Sequence, residues 1–356
     1  MLSKPFCLRL NRLREELAKQ DIACCLIESP IDLLYLTGQH FSCGTLCVES
    51  ESEELFVDGR YYEQARSSFS KTTLMSDSAL KEAFAKYKNV AFDSKSTSYE
   101  RFLKLSSLTD AVFVPLPSLL KNVRSIKEPQ EISIMKESAH LLWKGFEHLK
   151  SILHVGISEK QTALHFEIFC KNAGAEALAF DPIIAFGAHT AMPHHHCTDR
   201  ILQPGDPVLI DIGVSLHGYR SDMTRMLFFS PVQEHVFKLY EIVQRAQKAA
   251  LSACKPGVSV SLLDQAARAE MHKEGVEDLF VHSLGHGIGL ETHEFPRLTS
   301  KGEDKETLLS PGMVVTIEPG LYTQGIGGAR YEDTILITEQ GYENFYEFTP
   351  ATVFMD

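Results

Sequence analysis

VLIDIGVSLHGYRSDMTRMLFF, residues 208–229, has β-branched and apolar arms around a polar, glycine-containing middle, the pattern of a β-hairpin. Its apex falls near Leu216 and His217. A symmetric two-residue turn there sets Asp211 directly opposite Asp222. Carboxylates facing one another across a strand pair lie about 4.5 to 5.5 Å apart on one face, where like charges destabilise the sheet. Something cationic is expected between them.

A second hairpin repeats the arrangement in VVTIEPGLYTQGIGGARYEDTILIT, residues 314–338, where the glycine cluster 325–328 makes the turn. Centred on Gly325, it pairs Glu318 with Glu332. Pro319 and the extra glycines are the places where a bulge would shift that register. Between the two hairpins, HSLGHGIGLETHE (282–294) sets three histidines among three glycines. Each glycine forfeits about 1 kcal/mol of helix stability, so the stretch is extended or looped and a zinc helix of the HExxH type is a poor reading.

Carboxylates crowded into a half-buried place take up protons unless cations keep them ionised. Four acids with one imidazole suit a pair of divalent ions better than a structural zinc, which prefers Cys and His. Manganese, cobalt, iron(II) and zinc all fit such a donor set. Two ions about 3.5 to 4 Å apart share a water, lower its pKa and polarise a carbonyl or phosphoryl oxygen. Phosphoryl transfer is the weaker choice, because neither a glycine-rich phosphate loop nor an arginine cluster accompanies the acids.

Outward from the hairpins, the 356 residues suggest two domains, 1–125 and 126–356. The first alternates helical runs with strands such as IACCLIES, ELFVDG and AVFVPL, the mark of an α/β domain with a mixed sheet flanked by helices. The second places amphipathic helices (158–174, 232–257, 261–275) between long strand pairs and reads as α+β with antiparallel hairpins. A net charge of -12 argues against nucleic acid as a partner. No apolar run reaches the 18 or so residues of a membrane span. Eight cysteines without a CxxC pair, behind an N-terminus lacking an apolar signal core, lead us to expect free thiols in the cytoplasm.

The motifs DIGVSLHGYRSDMTR, GHGIGLETHE, TIEPGLY and GGARYEDTILIT, in this order, resemble the dinuclear "pita-bread" metallopeptidases and, within them, the Xaa-Pro peptidases. LLYLTG, VDGRYYEQA and IKEPQEISIMKESA extend the resemblance over nearly the whole chain. It implies a C-terminal pita-bread catalytic domain whose two divalent metal ions, manganese first, are held by Asp211, Asp222, His286, Glu318 and Glu332. By the same likeness Asp222 and Glu332 bridge the ions, and Glu318 accepts the proton of the attacking water. His286 is the imidazole ligand, with glycine neighbours that let the backbone pass close to the ion. His293 steadies the tetrahedral intermediate, and His194, directly after a proline in FDPIIAFGAHTAMPHHHCTDR, matches a further catalytic histidine. His282, Arg297, Arg330, Tyr219 and Tyr322 match positions that bind substrate or support the site.

The activity expected first is that of an aminopeptidase P, removing the residue before proline at the N-terminus of a peptide. The alternative is a prolidase cutting Xaa-Pro dipeptides. Behind these stand a methionine-aminopeptidase-like enzyme and a metal-free binding protein on the same scaffold. The likeness also implies a homodimer.

Overall fold

A computed structural model describes residues 4–69, 71–346 and 353–355. The chain divides into two compact units, residues 1–124 and 125–356.

The first unit holds helices α1 (Lys4–Ala18), α2 (Pro30–Thr37), α3 (Tyr62–Ser68), α4 (Asp77–Phe84) and α5 (Tyr99–Leu108), with α6 (Lys121–Ser125) at its end. Six strands, β1 (Cys24–Ile27), β2 (Thr45–Glu49), β3 (Glu53–Val57), β4 (Thr72–Leu74), β5 (Asn89–Asp93) and β6 (Val112–Leu116), form one sheet in the order β4-β3-β2-β1-β5-β6. The sheet is mixed: β1 pairs antiparallel with β2 and parallel with β5. Ser29, Ser76 and Ser98 cap α2, α4 and α5 through their hydroxyls, satisfying amides that a helix start leaves open. The α/β class read from the alternating pattern is the one observed.

The second unit opens with α7 (Pro129–Ile152), whose Glu131 side chain accepts from the Glu128 amide, and α8 (Glu159–Asn172), capped by Ser158 with Gln161 reaching back. Strands β7 (Ala177–Leu178), β8 (Ile183–Phe186), β9 (Pro207–Ile212), β10 (Val214–Leu216), β11 (Tyr219–Arg220) and β12 (Met223–Phe229) follow, then α9 (Glu234–Ala253) and α10 (Val260–Lys273). The chain continues through β13 (Gly285–Gly287), β14 (Glu294–Leu298), β15 (Val314–Ile317), β16 (Gly320–Thr323), β17 (Gly327–Arg330), β18 (Asp333–Ile337), β19 (Tyr342–Asn344) and β20 (Val353–Met355). One sheet runs β20-β12-β9-β8 and another β14-β13-β15-β18-β19.

Each hairpin is backed by a helix pair. Leu142, Phe146 and Leu149 of α7 and Phe166 and Cys170 of α8 pack against Val208, Ile210 and Ile212 of β9. Val243, Ala246, Leu263, Ala267 and Met271 of α9 and α10 cover Val315, Ile317 and Ile335 of the other hairpin. Leu209, Met226 and Phe228 point from the opposite side of the first hairpin into that second core, so β9 and β12 are buried on both faces. That accounts for their near-continuous apolar sequence. Asp211 and Thr224 share the face of Leu209 and Met226, which turns the first hairpin's acids toward the second hairpin.

Candidate metal centre and its surroundings

The first hairpin turns one residue later than the sequence suggested. His217 and Gly218 both take positive φ, 49° and 80°, as a two-residue type I′ turn requires. Ser215 pairs with Arg220, and Asp211 faces Thr224 rather than Asp222. The slip is two residues along the partner strand, an even number, so Asp222 stays on the face of Thr224. In the second hairpin Ile317 faces Asp333 and Gly320 faces Arg330. Both ladders keep one register, and Glu318 and Glu332 oppose each other in the gap between them; Pro319 interrupts the ladder without shifting it.

The hairpins are stitched together where their acids lie. Glu332 N donates to Thr224 O at 3.2 Å, and the Thr334 hydroxyl and Tyr346 hydroxyl both donate to Asp222 O at 3.0 Å. Buried Arg225 bridges Asp333 at 2.6 Å and reaches the Glu332 carbonyl, lying over the Tyr331 ring. Asp333 also accepts from Gln247 and Asn344, both at 3.0 Å.

His286 enters on β13. Its amide donates to Thr316 Oγ1 at 3.1 Å, and its Nδ1 donates to the Gly287 carbonyl at 3.1 Å. That bond leaves the Nε2 lone pair to face Glu318 Oε1 at 3.5 Å and Asp222 Oδ2 at 3.9 Å. The flanking glycines answer to neighbouring strands: a Cβ at Gly285 would fall on the Thr316 carbonyl, and one at Gly287 on the Phe295 carbonyl. Close strand approach is what they permit.

Three carboxylate oxygens in this cluster, Asp211 Oδ1, Asp222 Oδ1 and Glu332 Oε1, are buried without a hydrogen-bond partner among the described residues. Asp222, His286 and Glu332 each offer an atom within 4.8 Å of the others. Buried polar atoms are nearly always partnered, so an orphaned group of anionic oxygens beside an imidazole lone pair fits divalent cations. Proton affinities agree. Burial, then the charges of Glu332, Asp211 and Glu318, pushes Asp222 well above the ordinary carboxylate range. Burial and then Glu332 do the same to Glu318, and burial and then Asp211 push Glu332 up to about 8. Burial, then His293, lowers His286 to about 3, which keeps its ring neutral and able to ligate.

Residues 133–339 match the model of metallopeptidase family M24, and residues 9–126 that of the creatinase/prolidase N-terminal domain. The chain belongs to metallopeptidase family M24. It is 35% identical over 339 residues to the Xaa-Pro dipeptidase of Pyrococcus furiosus, covering 94% of this chain and 96% of the relative. Among solved structures, the Xaa-Pro dipeptidase from Bacillus anthracis superposes with a TM-score of 0.93 at 30% identity, covering 98% of this chain and all of that one. The X-Pro aminopeptidase from Thermotoga maritima gives 0.88 at 29% identity, covering 97% and 99%. The protein is therefore a peptidase of the pita-bread type, a family that uses divalent metal ions.

Around the acids of this M24 peptidase, Arg330 donates to Asp211 Oδ2 at 2.5 Å, to the Tyr322 hydroxyl at 2.8 Å and to the Pro193 carbonyl at 3.3 Å. The Tyr322 hydroxyl in turn meets His282 Nε2 at 2.9 Å, while His282 Nδ1 donates to Ser283 O at 2.8 Å. The direction of every bond in that relay is fixed: Arg330 to Tyr322, Tyr322 to His282, His282 to the backbone. Burial, then the Arg330 charge, lowers His282 to about 3, consistent with its acceptor role. His293 lies edge-on to His286, ring centroids 4.3 Å apart. Exposed His194 acts electrostatically on both His293 and His282.

Arg297 sits opposite His286 across β13 and β14, exposed and without an ion pair among the described residues. Tyr219 is placed elsewhere: buried, it donates to Glu131 Oε1 at 2.8 Å and ties β11 to the start of α7. The resemblance matched it to positions that bind substrate or support the site; here its hydroxyl holds Glu131 from the tip of the first hairpin. Thr224, which donates to Glu332 Oε2 at 2.8 Å, escaped the sequence reading because the expected turn set Asp222, not Thr224, opposite Asp211. Arg225 and Glu159 carried no motif that would have singled them out.

Proposed function

We propose that this peptidase is a prolidase, hydrolysing Xaa-Pro dipeptides with two divalent cations, manganese foremost, held by Asp211, Asp222, His286, Glu318 and Glu332. The orphaned carboxylate oxygens facing the His286 lone pair carry the metal assignment. When bound, such ions supply a water of lowered pKa and polarise the scissile carbonyl. Glu318, at 18% side-chain exposure the most open of Asp211, Asp222 and Glu318, takes the proton of the attacking water. His293 and His194 donate to the oxygen that gains charge. The Arg330–Tyr322–His282 relay fixes a neutral ring and a hydroxyl for the proline, whose missing N–H leaves shape as the means of recognition.

The dipeptide preference, in place of the aminopeptidase P activity expected first, rests on the dipeptidase relatives and on Arg297. Its guanidinium is available for the C-terminal carboxylate that a dipeptide presents beside the scissile bond. The likeness to an X-Pro aminopeptidase keeps longer peptides as the second reading. Alanyl-proline and alanyl-prolyl-alanine, assayed with manganese or cobalt after chelation, separate the two. We expect kcat/KM for the dipeptide to exceed the tripeptide's by roughly tenfold or more, and Arg297→Ala to erase most of that margin through KM. Faster tripeptide cleavage would favour the aminopeptidase.

A further inference from the structure

A second group of carboxylate and imidazoles lies in the same unit, apart from the four acids and imidazole above: Glu159, His189 and His195. Glu159 begins α8 with a fully buried side chain. Its Oε1 accepts from the Phe186 amide at 3.0 Å and from His189 Nδ1 at 2.8 Å. Its Oε2 accepts from His195 Nε2 at 2.9 Å, the Thr198 amide at 2.9 Å and the Thr198 hydroxyl at 2.7 Å. A carboxylate has about four acceptor sites, so these donors leave none for a cation. Burial raises its pKa, and the bonds from His195 and Thr198 more than reverse that rise.

All of these donors belong to one segment, residues 186–198, and they bracket His194. The middle of that segment is held from the other side. Arg330, gripping Asp211, reaches Pro193 O at 3.3 Å, and the Gly328 amide donates to the Thr190 hydroxyl at 2.9 Å. We propose that Glu159 is a positioning residue: through His195 and the two ends of this segment it fixes where His194 stands relative to the metal ligands. His195 and His189 are thereby struts rather than ligands. The inference rests on the catalytic reading of His194 given above.

Three variants and a His194→Ala background test it. Glu159→Gln turns one acceptor oxygen into a donor facing donors. His195→Leu removes a single strut, and His195→Gln restores a donor at nearly the same reach. With alanyl-proline we expect E159Q and H195L to lower kcat roughly 10- to 100-fold at little cost in KM, as a displacement of about 1 Å does, and H195Q to keep most of the activity. In a His194→Ala background, H195L should cost almost nothing more, because its effect passes through the missing ring. Multiplying losses in that cycle, or equal losses in H195L and H195Q, would overturn the proposal. The imidazole resonance of His194 in isotopically labelled protein needs no turnover: it should shift or broaden in H195L and hold in H195Q. An unmoved resonance in H195L overturns positioning even if E159Q fails to fold. If wild-type protein ignores alanyl-proline or H194A retains full activity, the functional reading fails, while the resonance still decides whether Glu159 positions His194.

Discussion

Glu159 and Glu332 are both buried glutamates in the same unit, both among histidines and other polar groups, and their environments do opposite things. Glu159 is surrounded by N–H and O–H donors and stays ionised below its ordinary range. Among the described residues Glu332 has a single side-chain donor, Thr224, on one oxygen, an orphan on the other and carboxylates for neighbours; its proton affinity rises to about 8. A buried anion needs compensation, and the protein either provides it from its own backbone or leaves it to a cation. The first solution makes a strut and the second a metal site.

The sharpest way to break that contrast is to remove an anion from the second cluster. Asp222→Asn withdraws a charge whose Oδ1 no donor among the described residues satisfies, so the loss falls on bound metal. We expect kcat to drop by roughly 10³-fold or more, equivalent to several kcal/mol of lost transition-state stabilisation. Metal content, measured on dialysed protein, should fall with it. Full metal content and near-normal turnover in D222N would deny that these acids form a metal centre.

Next in size is the response to pH. Glu332 in the metal-free fold binds its proton up to about 8, against 4.5 for an ordinary glutamate. Between those values the folded state holds more protons than the unfolded chain, so stability must fall as pH rises through the window. Glu159 has the opposite sign: its folded pKa lies below the ordinary value, so its contribution is present above that value and lost as pH falls. Thermal melts of chelated protein should therefore show Tm decreasing from pH 5 toward pH 8, a slope that manganese abolishes. E159Q should flatten only the acid limb. A chelated protein whose Tm is level across the window would show that the acids are not competing for protons.

The same contrast explains what the sequence could and could not reveal. The four acids were legible because an anion in an apolar strand is costly and conspicuous and flanking glycines and prolines mark the hairpins, whereas His286 was singled out only by the resemblance of GHGIGLETHE to a family motif. Their coming together survived an error in the first turn, since an even slip preserves the strand face. Thr224 was passed over because its place opposite Asp211 depends on register itself, and His217 gave little sign that it would take the positive φ that moves the turn. Glu159 was invisible for a different reason. Its partners are mainly backbone amides and two histidines 30 and 36 residues further along the chain, and no spacing rule encodes where a loop's N–H groups point.

Thr224→Val sharpens the comparison from within the metal cluster, by withdrawing the one side-chain donor Glu332 has. Lost hydrogen bonds behind a ligand typically cost about 10- to 100-fold in metal affinity or activity. Adding manganese in excess should recover activity if affinity alone has suffered. No change in the manganese needed for half-maximal activity would show that Thr224 does not tune its neighbour.

The smallest effect belongs to Tyr219, and it separates anchoring from substrate contact. The hydroxyl is buried on Glu131, so Tyr219→Phe leaves an acidic oxygen short of one donor while removing no apolar surface. A net cost of about 1 to 3 kcal/mol is expected for a bond to a charged group. The single tryptophan, Trp143, lies on α7, the helix that Glu131 begins to build, so its fluorescence follows this unit as urea is added. The midpoint should move to lower urea while kcat and KM toward alanyl-proline stay within about twofold, well under the tenfold that 1.4 kcal/mol of lost binding would give. A raised KM with an unmoved midpoint would return Tyr219 to the substrate pocket.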